Sequence, residues 1–307
     1  MKIAVMGTGG VGGYFGARLA ASGQDVTFIA RGAHLDAIRK NGLRIDSTVS
    51  PCLIKPAKAI SNPAEIGPVD IVLFTVKLWD TEAAGEACKK LIGPDTAVIS
   101  LQNGVDAEDI LSRVLGRKYV MGGVAGIFAT ISEPGVIKHV GAIQLMIFGE
   151  LDSKRSKRGE AFLAASKAAG IDAVFSESID VELWKKFVYL TALSGMTCYT
   201  RSAIGPIREN PEQFAMMRGA LEEAIAVARA KGVALPADVL DERIAVAKRL
   251  APEMRSSMLH DLDRGSRLEL PWLSGTVVRM GEQLGVATPI HRRIRDALAP
   301  HAEGRKT

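Results

Sequence analysis

Lys2-Ile3-Ala4-Val5-Met6-Gly7-Thr8-Gly9-Gly10-Val11-Gly12-Gly13-Tyr14-Phe15 is the stretch on which the fold turns. An apolar run of strand length meets a glycine cluster, and a helical pattern then runs from Val11 to Ser22, closed by Gly23. Gly7, Gly9 and Gly12 have the G-x-G-x-x-G spacing, between a strand and a helix, which is the context that gives the pattern meaning. Gly7 allows a tight turn, Gly9 removes a side chain where a pyrophosphate must approach, and Gly12 lets the helix pack close to the strand. The helix N-terminus offers N–H groups and a positive dipole end to the phosphates. Gly7, Thr8, Gly9, Gly10, Val11 and Gly12 are therefore the expected dinucleotide cradle.

Asp25 to Ala30 reads as the second strand, and Arg31-Gly32 follows it. NAD-binding sheets place an acidic residue at this point to hold the ribose 2′-hydroxyl. Arg31 stands there instead, and its guanidinium fork suits a 2′-phosphate. The expected cofactor is NADPH.

Further strands are expected over 70–76, 97–101, 119–125 and 142–148, with helices over 80–92 and 107–115. Residues 152–158 read as a polar loop, 161–169 as a helix, and Ala173-Val174-Phe175 as a last strand. Strands alternating with helices imply a parallel sheet covered on both faces. From Ser178 onward the patterns are all helical. The reading is an α/β chain: a Rossmann-like doubly wound parallel sheet over 1–176, then an all-α domain over 177–307.

Composition excludes several other classes. Among 307 residues 47% are hydrophobic and 24% charged, so the chain has material for a core and is not disordered. The net charge of +5 comes from 39 basic residues scattered among 34 acidic ones, which describes a solvated surface rather than a nucleic-acid face. Three cysteines make no disulfide framework, and His34, His139, His260, His291 and His301 show no metal-ligand spacing. No apolar run is long enough to span a membrane and no signal peptide is visible, so the expected address is the cytoplasm. A homodimer is compatible with an apolar helical half, but no stretch locates an interface.

Ligands of doubly wound sheets sit outside the carboxyl ends of the strands. Lys77 ends one apolar strand and Asn103 follows another, which makes both candidates. In the helical half, Ser178 reads as a helix cap, and Phe187 to Thr200 contains no charged residue, so that helix should be buried. Lys185 and Lys186 stand just before that stretch. Adjacent residues point about 100° apart on a helix, so one lysine at most faces inward. A partly desolvated lysine suits proton donation to a carbonyl under reduction; the alternative is that both lysines reach solvent. Glu269 precedes Pro271, which fits the first turn of a helix running to Leu284 and closed by Gly285.

Together Gly7–Gly12, Arg31, Thr75-Val76-Lys77, Asn103-Gly104, Glu182-Leu183-Trp184-Lys185-Lys186, Ser256-Ser257-Met258-Leu259-x-Asp261 and Glu269 resemble the ketopantoate reductases (2-dehydropantoate 2-reductases) and their 2-keto-acid reductase relatives. The resemblance spans nearly the whole chain. It implies a helical domain joined to a Rossmann-like one, with the site in the cleft between. It also implies hydride transfer from NADPH to the keto carbon of 2-dehydropantoate, giving (R)-pantoate for pantothenate and coenzyme A synthesis. Lys186 matches the general acid, and Glu269 a second catalytic residue beside it, a conformational and cofactor contact. Lys77 and Asn103 match residues near nicotinamide and substrate, and Ser257 a substrate contact. Such enzymes commonly carry asparagines one and two helical turns after the lysine. Leu190 and Ser194 stand there instead, and Ser194 becomes the polar substrate contact. Two alternatives follow: a reductase of a different 2-keto acid, and a nonenzymatic NADPH-binding sensor.

Overall fold

Alternation along one strand organises the first half of the molecule. In β1 (Lys2–Met6), Ile3 and Val5 belong to one buried cluster while Ala4 and Met6 belong to another. The structure, a computed structural model, describes residues 1–305. It divides into two compact units, the first Met1–Asp180 and the second from Val181 onward.

The first unit continues with α1 (Gly10–Ala21), β2 (Asp25–Ile29), α2 (Gly32–Asn41), β3 (Leu43–Asp46), β4 (Cys52–Ile54), β5 (Lys58–Ile60) and β6 (Ile71–Phe74). Then come α3 (Thr81–Cys88), β7 (Ala97–Ser100), α4 (Ala107–Leu115), β8 (Val120–Glu133), β9 (Val136–Glu150), α5 (Lys157–Ala168) and β10 (Asp172–Phe175). The strand order is β4-β3-β9-β8-β7-β6-β1-β2-β5, with β10 on β9. β5, β2, β1, β6, β7 and β8 pair in parallel. Successive side chains of a strand point to opposite faces. Ile3, Val5, Ile71, Leu73 and Ile99 meet Tyr14 and Phe15 of α1, Ile38 of α2 and Phe162 of α5. Ala4, Met6, Val72, Phe74 and Val98 meet Ala84 and Cys88 of α3 and Leu111 of α4. The sheet is thus covered on both faces, as the sequence led us to expect.

Two pairs, β8–β9 and β3–β4, depart from the parallel pattern. β8 and β9 form a long antiparallel hairpin around Gly135, which takes a φ of 82°. The sequence reading reached only their inner halves, because Phe128, Ile131 and Val140 are exposed apolar residues farther out that break the in–out alternation. β3, β4 and β5 escaped it because they are three or four residues long and only partly buried. The helix expected over 80–92 is a 3₁₀ turn at Leu78–Asp80, then α3, then a second 3₁₀ turn at Lys89–Leu91. α5 begins at Lys157, inside the expected loop: Ser156 caps it by accepting from Gly159 N–H at 3.1 Å. Arg158 is no solvated loop residue, since it forks onto Glu150 at 2.8 and 2.6 Å.

The second unit takes up α6 (Ile179–Thr200) from its third residue and holds α7 (Ile204–Glu209), α8 (Pro211–Ala230), α9 (Val239–Arg249), α10 (Ser257–Arg264), α11 (Ser274–Leu284) and α12 (Pro289–Leu298). α6 starts one residue after Ser178, and Thr191 to Cys198 are all buried. The helix expected from Pro271 is two elements. A 3₁₀ turn covers Leu270–Trp272, Leu273 breaks the run with φ −102° and ψ −99°, and α11 follows to its left-handed stop at Gly285. Glu269 therefore precedes the short turn, not the first turn of α11. At α12, Pro289 occupies the first turn, and Glu223 of α8 accepts from the N–H groups of Ile290 and His291 at 2.7 and 2.9 Å.

Candidate active site

Parallel register aligns the strand ends. Met6 lies opposite Ile29 on one side and Phe74 on the other, and Phe74 lies opposite Ser100. At about 4.8 Å per strand these four carboxyl ends form a row of about 14 Å. The chain leaves β1 toward β2 and later crosses back to β6, so the row straddles the switch point where ligands bind in such sheets.

The glycine loop tops β1 in the middle of that row. Gly7 has a φ of 97°, which a residue with a side chain rarely adopts. A Cβ on Gly12 would run into the Thr75 hydroxyl and the Gly7 carbonyl, and one on Gly10 into the backbone at Ala129. Gly9 differs from all three. Its φ of −84° and ψ of −161° suit any residue, and a Cβ there would meet no protein atom within 4 Å. The protein's own packing does not require glycine at 9; the space in front of it does. Gly9 is the N-cap of α1, so no side chain caps the helix, and no acid stands in its first turn. The first intrahelical bond runs from Gly13 N to Gly9 O at 2.7 Å, which leaves the N–H groups of Gly10, Val11 and Gly12 without intrahelical acceptors. This is a concentrated donor site for a phosphate.

Two polar side chains, half-buried Thr75 and buried Gln102, hold the loop and its neighbours. Thr75 donates from its hydroxyl to Gly7 O at 2.6 Å. Gln102 donates from Nε2 to Val76 O and to the Thr81 hydroxyl, each at 2.9 Å, and so ties the end of β7 to the turn after β6. Lys77 and Asn103 stand on the two segments that Gln102 joins. The Lys77 side chain is exposed, with Nζ 5.6 Å from the ring centre of Trp79, and Asn103 is half-buried. The sequence reading gave Gln102 no role; a buried amide beside a strand end was the available signal. Thr8 is buried and donates from its hydroxyl to Ile29 O at 3.0 Å, which links the loop to the end of β2. Arg31 follows β2 as expected, and its guanidinium is paired with Asp80 at 3.1 Å.

In the second unit the lysine pair separates. Lys185 reaches Glu242 of α9 at 3.6 Å. Lys186, about 100° further round α6, is half-buried. Leu190 and Ser194 share its face by i, i+4, i+8 spacing. Leu190 is half-buried, while Ser194 is fully buried with its hydroxyl lacking a hydrogen-bond partner. Glu269 is buried at 6% exposure. Of the serine pair, Ser257 is exposed at the first position of α10. Ser256 is the buried one: it caps α10 through Leu259 N–H at 3.1 Å and bonds Thr197 of α6 at 2.7 Å.

Burial also keeps three interior groups uncharged at neutral pH. Burial pushes the thiols of Cys88 and Cys198 up to about 12, so neither is a nucleophile at neutral pH. Burial pushes His291 down to about 4; its Nε2 donates to Ala220 O at 2.9 Å as a neutral ring. Among the described residues no group of histidines, cysteines and carboxylates is arranged to hold a metal ion, and no helix is long and apolar enough to cross a membrane.

Comparison with known proteins gives these features a family. Residues 3–153 match the family described as ketopantoate reductase PanE/ApbA, and 178–302 match its C-terminal region. The chain belongs to the ketopantoate reductase family. It is 33% identical to the 2-dehydropantoate 2-reductase of Archaeoglobus fulgidus over 95% of either chain. The crystal structure of a PanE/ApbA family ketopantoate reductase from Ralstonia eutropha superimposes with a TM-score of 0.91 at 33% identity, covering 98% of both chains. A D-mandelate dehydrogenase solved with NADH and anilino(oxo)acetate shares the fold at a TM-score of 0.88 and 23% identity, again over 98% of each chain. The protein is accordingly a nicotinamide-dependent oxidoreductase of this family.

Proposed function

We propose that the protein reduces 2-dehydropantoate to (R)-pantoate with NADPH as the reductant, a step toward pantothenate and coenzyme A, in the cytoplasm. Gly9 is the observation that carries the nucleotide reading: a glycine that neither backbone nor packing demands, standing before an uncapped helix end. The loop Gly7–Gly12 binds the pyrophosphate, and Arg31 faces the adenosine 2′-phosphate. Lys77 and Asn103 lie toward the nicotinamide and the substrate, with Glu269 contributing to the cofactor site. When bound, the dihydronicotinamide supplies a hydride to the keto carbon. The Lys186 ammonium bonds the keto oxygen, stabilises the charge gathering there and gives it a proton. Solvent then restores the proton to Lys186. Ser257 and Asn103 orient the substrate, and the unpaired Ser194 hydroxyl offers it a further polar contact.

A second reading has its own observation. Leu190 puts an apolar side chain one turn beyond Lys186, and Ser194 is shorter than an amide. A site that lacks a polar clamp discriminates differently among 2-keto acids, which favours a bulkier or less polar substrate on the same chemistry. The deciding experiment follows NADPH oxidation with 2-dehydropantoate and with a series of other 2-keto acids, repeated with NADH. The highest kcat/KM for 2-dehydropantoate upholds the main reading. A higher value for another keto acid transfers the assignment to it. NADPH binding without turnover of any keto acid leaves the sensor.

A further inference from the structure

The geometry points to Asp80 as a specificity-determining residue that holds back the preference for NADPH over NADH. This rests on the nicotinamide-nucleotide reading above and adds to it a residue outside the glycine loop.

β2 ends at Ile29, level with Met6 at the base of the loop, and Arg31 comes two residues later. Asp80 arrives from the other side of β1, on the 3₁₀ turn that follows β6. Its carboxylate lies 3.1 Å from the Arg31 guanidinium. The Arg31 side chain is 82% exposed and that of Asp80 33%. The point that selects between a 2′-phosphate and a 2′-hydroxyl therefore carries both a cation and an anion.

An aspartate just before a helix ordinarily serves as its cap, yet Asp80 makes no side-chain capping bond to α3. Its carboxylate is turned to Arg31 instead. The turn that presents it is well fixed. Asp80 N–H donates to Lys77 O at 2.9 Å, the Thr81 hydroxyl donates to Leu78 O at 2.8 Å, and Gln102 donates to that same hydroxyl at 2.9 Å.

A 2′-phosphate reaching Arg31 has to displace this carboxylate and then sits beside a like charge. A 2′-hydroxyl meets the reverse situation, because a carboxylate accepts its hydrogen bond. That is the role of the acid at the end of the second strand in NAD-binding sheets. Asp80 supplies from the turn after β6 the acid that β2 lacks.

The test titrates NADPH and NADH into the full chain by nucleotide fluorescence, for the wild type, Asp80→Asn, Asp80→Ser and Arg31→Ala. These affinities need no turnover, so they stand apart from the substrate assignment. Both Asp80 variants should raise the NADPH-over-NADH affinity ratio by about fivefold, mainly by tightening NADPH, and more at low salt than at high. Arg31→Ala should bring the ratio below one, with Asp80 left to the ribose. A ratio unchanged within twofold in both Asp80 variants, with wild-type protein that binds both nucleotides, sinks the role of Asp80 alone. Wild-type protein that binds neither nucleotide removes the cofactor reading and this inference with it.

Discussion

In the first unit the chemistry is written into the backbone; in the second it depends on which side of a helix faces where. The candidate phosphate site combines a positive φ at Gly7, open space at Gly9 and close packing at Gly12, all within six residues. The candidate proton donor needs Lys186 to differ from Lys185, and their sequence positions differ by one. Lys185 engages Glu242, on another helix, and Lys186 projects about 100° further round α6. A backbone site is local and announces itself by residue type. A side-chain site on a buried helix is defined by its neighbours.

The largest expected effect tests the second half of that comparison. Lys186→Ala should lower kcat by about 10² to 10⁴, the range for loss of a general acid, with nucleotide affinity unchanged by fluorescence titration. Lys185→Ala should leave kcat within about twofold, since its partner Glu242 is half-exposed and such pairs contribute little. Equal losses in both variants would erase the distinction between the lysines.

The next effect concerns how the helical unit is held together. Folded His291 stays neutral down to about 4, whereas the unfolded side chain takes up its proton near 6.5. As pH falls through that window, the unfolded state binds a proton that the folded state does not. Stability should therefore drop on acidification, by up to about 3 kcal/mol near pH 4. His291→Gln should flatten this slope in denaturant unfolding between pH 7.5 and 4.5. An unchanged slope would clear His291 of the effect.

Two glycine variants sharpen the first half. Gly9→Ala should weaken nucleotide binding about tenfold without lowering the melting temperature, since the new methyl meets no protein atom. Gly12→Ala should instead cost about 1–3 kcal/mol of stability, because its Cβ meets Thr75 and Gly7. If both variants behave alike, the glycines do not divide into ligand-facing and packing kinds.

The smallest expected effect is on substrate choice. Leu190→Asn should raise kcat/KM for 2-dehydropantoate about five- to tenfold relative to a branched apolar keto acid, through one added hydrogen bond. A fall for both substrates would mean that Leu190 serves packing alone.

Local elements were legible and non-local ones were not. β1 and α4 stand where the sequence puts them, because a short apolar run and a dense helical face need only their own residues. β3, β4 and β5 were invisible because strands of three or four residues carry too little pattern to separate from loop. The outer halves of β8 and β9 were missed for a different reason: exposed Phe128, Ile131 and Val140 break the alternation there, where each strand is stabilised by pairing with the other. Of the candidate residues, the glycine loop, Arg31, Lys77 and Asn103 in the first unit and Lys186 and Glu269 in the second were all singled out from sequence. The supporting bonds of Thr75 and Gln102 were not, since each joins segments more than twenty residues apart.

The sequence alone determined that a strand, a glycine turn and a helix would follow one another and present a candidate phosphate cradle, because those choices close within a dozen neighbouring residues. Tertiary structure decided which charges meet. Arg31 found Asp80, 49 positions away, Lys185 found Glu242, and Ser256 rather than Ser257 turned inward to Thr197. Such partners depend on how distant elements pack, and chain order does not record which side chains that packing brings within hydrogen-bond reach.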